Sequence, residues 1–367
     1  MRLDIRKLLV ISIMAVVGAA ATPLTRNAKL TTLDAGGDLD RQVRRVVATP
    51  DTPHWMGWVV PAVEGSGDSC CYENLDFNRN RGCCRGCKLE GKNSTFVGTH
   101  SEDKSHSGEP IKLEGSRAIS VLLRASAGRI NRVQAFSQDC EMDAGGLGFT
   151  WLENVAQSES LRLLEKLALD PDAVDDDGDR LGESAVMAIA MHADPQADPI
   201  LARLAGPGHD EDVREQAIFW MGDARGRAGY ETLRRIVKDD PDEDIRDKAV
   251  FALSQSSVPE AIDLIINVAH TDRSSDVRSQ ALFWLSQEAG ERAAASITEA
   301  VEKDPETDVK KKAVFALSQL PPEQGLPLLM KLASTHKNLA VRKEAIFWLG
   351  QSEDPRALDF IEEILTR

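Results

Sequence analysis

Five aliphatic residues, Val213, Ile245, Val277, Val309 and Val341, stand at intervals of 32. A basic residue follows each: Arg214, Arg246, Arg278, Lys310 and Arg342. Four positions after the aliphatic comes alanine (Ala217, Ala249, Ala281, Ala313, Ala345), and two further on comes phenylalanine (Phe219, Phe251, Phe283, Phe315, Phe347). One step back the pattern reads Leu181, Ala185 and Met187. A fixed period between about 20 and 50 residues marks a solenoid, because one unit cannot bury its apolar face alone and must stack on its neighbours. Each unit holds two helical stretches. The first opens on an acidic cap, Asp212, Asp244, Asp276 or Asp308, with Ala340 in the last unit; a short side-chain oxygen there satisfies unpaired backbone N–H groups. The second is amphipathic, as in AIDLIINVAH at 261–270, and a Pro- or Gly-bearing turn joins the two. The expected fold is mainly α: a solenoid of six to seven helix pairs over residues 146–367, with an outlying unit at 147–169.

The residue after each phenylalanine alternates: Ala188, Trp220, Ala252, Trp284, Ala316, Trp348. At 100° per residue it lies beside Val213 and Ala217 on the apolar face, so the tryptophans read as interlocking packing between helices, and Trp151 as an extension of the alternation. The phenylalanines differ. Phe219 falls about 120° away from Val213, among Asp212, Glu215, Gln216 and Asp223. One turn beyond stands a second column, Gln255, Gln287, Gln319 and Gln351, with Asp223 at its head. A third column, Glu215, Asp247, Ser279, Lys311 and Lys343, runs from acidic to basic. Two readings stay open. The rings and amides line a groove for a protein or an extended peptide, since aromatic faces supply contact area and amides bond a backbone both ways. Otherwise the rings are buried against the next unit, for Ile218, Val250, Leu282, Val314 and Ile346 make these helices apolar nearly all round.

The string DEDIRDKAVFAL at 242–253 fits D-x-x-V-R-x-x-A-x-x-x-L, and the chain here resembles the HEAT repeats, in particular the short bacterial HEAT-like kind. The resemblance covers 181–367 and implies that the helix bearing the V-R motif lines the concave side. It also implies a ladder between units from an Asp six residues before the Arg: Asp240 and Arg246, Asp272 and Arg278, Asp304 and Lys310. His336 and Gly208 replace that Asp in the last unit and in the Val213 unit. Two enzymatic relatives do not transfer. The diiron deoxyhypusine hydroxylases depend on paired His-Glu motifs, and no histidine here is followed by Glu. For the bilin lyases, no motif specifying their chemistry is found.

The first third of the chain is of another kind. Arg2, Arg6 and Lys7 precede an apolar run from Leu8 to Ala21, and Ala19-Ala20-Ala21 offers small residues for cleavage, so residues 1–21 read as a signal peptide. Export to a periplasmic or extracellular space follows, with no membrane attachment after cleavage. Six cysteines, Cys70, Cys71, Cys83, Cys84, Cys87 and Cys140, all lie within 22–145, and an even number in an exported chain reads as disulfides. HWMGWVVPAV at 54–63 reads as a strand, RAISVLLRASAGRINRVQAFS at 117–137 as a hairpin turning near Ala127-Gly128, and DLDRQVRRVVA at 38–48 as a helix. A small disulfide-rich β-containing module is expected. Cys84-Arg85-Gly86-Cys87 also has redox spacing, and four of the six cysteines could hold zinc, so a thiol oxidoreductase or zinc protein is the rival class.

The formal charge of −15 argues against nucleic acid, whose phosphates require clustered Lys and Arg. DPDAVDDDGD at 170–179 misses the calcium-loop spacing and reads as a solvated insertion between units. No nucleophile elbow, phosphate loop or zinc-protease motif is present. The reading is a non-catalytic scaffold for a protein or peptide, with no cofactor, no metal and no assigned catalytic residue.

Overall fold

A computed structural model describes residues 23–48, 52–63, 69–72, 87–90, 94–97, 117–287 and 291–366; for 69–72, 87, 94–97 and 291 the backbone alone is described. The first part is built on a five-stranded sheet. Its strands are β2 (Lys29–Asp34), β3 (His54–Pro61), β7 (Ala118–Ser126), β8 (Arg129–Ser137) and β10 (Gly148–Glu153), in the order β2-β10-β3-β7-β8. Small pieces flank it: β1 (Thr25–Arg26), β9 (Met142–Asp143) and β5 (Cys87–Lys88) form one ribbon, and β4 (Ser69–Tyr72) pairs with β6 (Ser94–Val97). Helix α1 (Leu39–Val47) crosses between β2 and β3, capped by Asp38, and buries Leu39, Val43 and Val46 at one-turn spacing. The β7–β8 hairpin turns at Ala127 and Gly128, both with positive φ, as a two-residue turn between twisted strands needs.

Strand β10 corrects three expectations. Residues 148–153 run parallel to both β2 and β3, in the middle of the sheet, and so form no outlying helical unit. The sheet therefore reaches past residue 145, the expected end of the module. Trp151 packs in the sheet's second core with Trp55, Leu122 and Phe149 and takes no part in the alternation of the solenoid. FTWLE is short and apolar, and a run of that length carries no decisive period.

Helix α2 (Gln157–Leu169) follows the sheet, and then six antiparallel pairs stack: α3 (Gly182–Met191) with α4 (Ala197–Leu204), α5 (Glu211–Ala224) with α6 (Gly226–Asp239), α7 (Glu243–Ser254) with α8 (Glu260–Thr271), α9 (Ser275–Gln287) with α10 (Glu291–Lys303), α11 (Thr307–Ser318) with α12 (Pro322–Thr335), and α13 (Leu339–Gln351) with α14 (Pro355–Thr366). The helix caps stand two residues earlier than expected. Asp242 and Asn338 accept from the N–H groups of Asp244 and Ala340, while Asp212, Asp244, Asp276 and Asp308 lie in the first turn, where a negative charge meets the positive end of the helix dipole. No helix among the described residues is long and apolar enough to cross a membrane.

One apolar core runs from α1 and the inner face of the sheet through every pair of helices. Polar joints weld the two parts. The Trp58 indole N–H donates to Ser160 Oγ (2.8 Å), and His192 Nε2 lies 2.9 Å from the same oxygen. His192 Nδ1 donates to the Ala188 carbonyl (2.7 Å), so Nε2 carries no proton and accepts from the serine. Burial, chiefly, lowers the His192 pKa to about 4. The acidic loop at 170–179 is largely solvent-exposed, as expected of an insertion between units, and it is also a second joint: Asp176 takes Arg124 of β7 (3.0 Å) and Asn131 of β8 (2.6 Å).

Candidate functional site

The first helix of each pair packs along its length on the first helices of the neighbouring pairs, whereas second helices of adjoining pairs meet at few places. The closer layer is the inner one, so the V-R helices line the concave side of the stack. Their packing is set at the unit junctions. Arg246, 1% exposed, donates through Nε and Nη2 to both carboxylate oxygens of Asp272 (2.9 Å each) and through Nη1 to the carbonyl of Asp240 (3.1 Å). Arg278 repeats this with Asp304 (2.8 and 3.2 Å) and the Asp272 carbonyl, and Arg214 reaches Asp240 at 2.7 Å. The carboxylate partner is thus the Asp of the following unit, 26 residues on, and the Asp six residues before gives only its backbone oxygen. Burial would raise the Asp272 carboxyl, but Arg246 and the Ser274 N–H more than offset it and hold it below the usual range.

Counting by 26 explains the exceptions. Lys310 would meet His336, and residue 182 would meet residue 208; those pairs are Lys/His and Gly/Gly, so the guanidinium and the carboxylate are lost together. Lys310 turns instead to the carbonyls of Val301 (2.8 Å) and Glu302 (2.7 Å).

On the concave side the rings form one continuous row. Phe219 stacks on Phe251 (6.0 Å, 22°), Phe251 leans on Trp284 (4.7 Å), Trp284 meets the edge of Phe283 (5.0 Å), Phe283 stacks on Phe315 (6.3 Å, 2°), Phe315 leans on Trp348 (4.8 Å) and Trp348 meets Phe347 (5.1 Å). Trp220 closes the upstream end against Phe219 (5.0 Å). Phe219, Phe251, Phe283 and Phe315 are half-buried, and Phe347 is 53% exposed. Ala252 and Ala316 are fully buried, which makes room beside Phe251 and Phe315 for the tryptophan of the next unit. Trp284 and Trp348 are half-buried members of this row and not only packing between helices, as the sequence had suggested; Trp220, at 6% exposure, is core.

Gln255, Gln287, Gln319 and Gln351 are all exposed beside the row. The first three donate to the preceding serine (3.0, 3.2 and 3.1 Å), and each serine donates to the carbonyl of its phenylalanine (2.7, 2.6 and 2.7 Å). The relay fixes each amide at the end of its helix. Gln351 follows Gly350 and lacks the serine.

A further ladder escaped the sequence reading. Residues 33 apart meet across units on the same face: Gln216 donates to Glu183 (3.3 Å), Lys248 to Glu215 (2.8 Å), and Gln280 bonds Asp247. The offset of one repeat plus one residue was the available signal. Burial raises the carboxyls of Glu183 and Asp247, and Asp212, Asp179, Glu215 and Asp210 add to the shift of Glu183. The face is therefore acidic over α3 and α5 and carries Lys311 and Lys343 over α11 and α13.

Of the six cysteines, Cys140 alone has a described side chain; it is 1% exposed and disulfide-bonded. Cys83 and Cys84 lie outside the described residues, as do the side chains of Cys70, Cys71 and Cys87 and the signal segment 1–21. Among the described residues no cluster of three His, Cys, Asp or Glu side chains could hold a metal.

The profile of HEAT repeats matches residues 198–286 and 294–367, so HEAT repeats form this part of the chain. No curated protein matches it. Among solved structures the chain is similar to the complex of CpcE and CpcF of phycocyanin lyase from Nostoc sp. PCC7120, at 22% identity over 43% of this chain and 100% of that one, with a TM-score of 0.33. It is similar to human deoxyhypusine hydroxylase in complex with glycerol (18% identity, 57% and 82% coverage, TM-score 0.28) and to Kap121p (12%, 53% and 25%, TM-score 0.35). Likeness of this degree says nothing of activity.

Proposed function

We propose that the chain is an exported, non-catalytic scaffold that holds a protein segment in extended form along the concave side of its HEAT repeats. The observation that carries this is the continuous aromatic row left half-open on that side. A buried core would close over its rings, and an unused solvated face would not keep them. With neighbouring helices about 8–10 Å apart and a strand rising about 3.3 Å per residue, each unit meets about three residues of ligand. The rings take its apolar side chains, the glutamine amides its backbone. The acidic-to-basic run along the same side favours one chain direction. A disulfide-rich first module fits the same exported setting.

The test is selection of extended peptides from a displayed random library on the purified chain, read by the emission of Trp284 and Trp348. Selected peptides should shift that emission and lose at least about tenfold in affinity on Phe251→Ser/Phe283→Ser, as loss of aromatic anchors does. Selected peptides that bind this variant unchanged, or no selection at all, overturn the reading.

A further inference from the structure

Helices α13 and α14 turn one face to α11 and α12 and leave the opposite face open. On α13 the open stripe is Leu339, Arg342, Lys343, Ile346, Phe347 and Gly350, at the three- and four-residue spacing of one helix side. In earlier units the position of Ile346 is covered by the next pair of helices. Ile346 is 37% exposed, and its counterparts Ile218, Val250, Leu282 and Val314 are at 0%. On α14, Leu358 and Leu365 are 60% and 79% exposed, where Leu326 and Ala333 of α12 are buried. Leu339 is exposed and apolar where the other units have Glu211, Glu243, Ser275 and Thr307.

Gly350 stands where the units between have Ser254, Ser286 and Ser318 and the Val213 unit has Gly222. At its counterpart Gly222 a Cβ would lie 2.0 Å from the Ala252 carbonyl oxygen, because α7 rides directly on the backbone of α5. At Gly350 a Cβ would meet only Ile361 Cδ1, at 4.0 Å. Glycine is a poor helix former, and nothing within the described residues requires it at 350. It leaves room for as close an approach as α7 makes at Gly222.

The charges say which helix. The open stripe of α13 carries Arg342 and Lys343; that of α14 carries Asp359 and Glu362 around Leu358. A two-fold axis running between the helices and parallel to them lays α13 of each copy on α14 of the other, so bases meet acids at both contacts. The opposite end of the stack is closed, since α2 and α3 are packed against α1 and β8, and a head-to-tail chain of copies is thereby excluded. We infer that the open face of α13 and α14 is a two-fold interface between two copies of this chain.

Sedimentation equilibrium of the purified full chain tests this over roughly 1–100 μM, a range that brackets affinities common to interfaces of moderate size. The mass should rise from one copy to two, and added salt should oppose the rise. Arg342→Glu/Lys343→Glu sets acid against acid at both contacts, and Asp359→Lys/Glu362→Lys sets base against base. Each alone should associate at least about tenfold more weakly, and an equimolar mixture should pair again, because a mixed dimer has complementary charges at both contacts. Arg342 also donates to the His336 carbonyl (2.7 Å), so Lys343→Glu alone is the milder form, and circular dichroism confirms the fold of each variant. Gly350→Ala should weaken the dimer. A mass of one copy throughout overturns the inference. So does a dimer that the reversed variants leave intact, which places the contact elsewhere, or a mixture that fails to pair.

Discussion

Removing the carboxylate from Asp272 strands the most deeply buried cation of the stack. Arg246 is 1% exposed, and Asp272 supplies two of its bonds at 2.9 Å; without them Arg246 keeps only the carbonyls of Asp240 and Pro241. Leaving such a charge unpaired lowers stability by about 3–5 kcal/mol. Asp272→Ala should therefore open the α7–α9 junction at much lower urea. Arg246→Lys keeps the charge and should lower stability by roughly 1–3 kcal/mol, the range for losing charged hydrogen bonds. The double variant Arg246→Lys/Asp272→His copies the pair found at Lys310 and His336, where the lysine turns back to the carbonyls of Val301 and Glu302. It should recover about 1–3 kcal/mol of the summed single losses, with Asp272→His as the second single variant. Urea melts followed by tryptophan emission give the totals, and hydrogen exchange across α7 to α9 locates the loss, because a stack of repeats opens locally. The Asp272 carboxyl is held below its unfolded value, so the pair is fully formed above about pH 4 and weakens only as pH falls below that. Strict additivity of the two single variants, to within about 0.5 kcal/mol, would refute the idea that positions 26 apart act as one unit.

Other outcomes follow from single contacts. His192 is neutral when folded, with a pKa lowered to about 4, and the unfolded chain binds its proton near pH 6.5; stability is untouched above 6.5 and falls by roughly 3 kcal/mol on going down to about pH 4. His192→Gln should flatten the slope of stability against pH in that window, measured by urea melts at pH 7 and 4.5, and an unchanged slope would show that the imidazole is not shielded. Gly222→Ala drives a methyl into the Ala252 carbonyl and should lower stability by at least about 1–3 kcal/mol. Gly350→Ala, whose methyl meets only Ile361 Cδ1 at ordinary contact distance, should raise the stability of dilute protein by up to about 1 kcal/mol; equal effects at the two glycines would contradict the close approach at 222. Phe251→Ala should lower stability by about 1–2 kcal/mol, between the loss for a surface residue and that for a fully buried ring; a loss near 4 kcal/mol by calorimetry would mean the row is core.

The period of 32 located the helix pairs because burial on the V-R helices depends only on each unit's own face, and that face repeats: Val213, Ala217 and their counterparts are all buried. Relations between units were less legible. The pairing of Arg246 with Asp272 crosses a junction, so its offset is 26 rather than the local six, and one unit's sequence holds only half of each pair. The ladder of Gln and Lys donors onto carboxylates at offset 33 was hidden for the same reason. Strand β10 was lost because its neighbours β2 and β3 are more than ninety residues away in sequence, and register between distant strands leaves no mark in a local pattern. The hairpin β7–β8, whose two strands are adjacent, was legible for the opposite reason.

The alternation of Ala and Trp has a consequence for any ligand on the concave side. The units repeat every 32 residues, but the aromatic row repeats every two units: Phe219 with Phe251 and Phe283 with Phe315 form stacked pairs, and Trp284 and Trp348 stand after each pair. An extended chain that slid by one unit would bring a side chain seated on stacked phenylalanines onto a Phe–Trp junction of different tilt. Only a slide by two units, about 16–20 Å, restores the match. Over that distance the charges have changed from Asp247 to Lys311, so the second register is opposed electrostatically. The two patterns have different lengths, one periodic and one monotonic, and their combination leaves a single register. A uniform column of phenylalanine on a uniformly charged face would allow many.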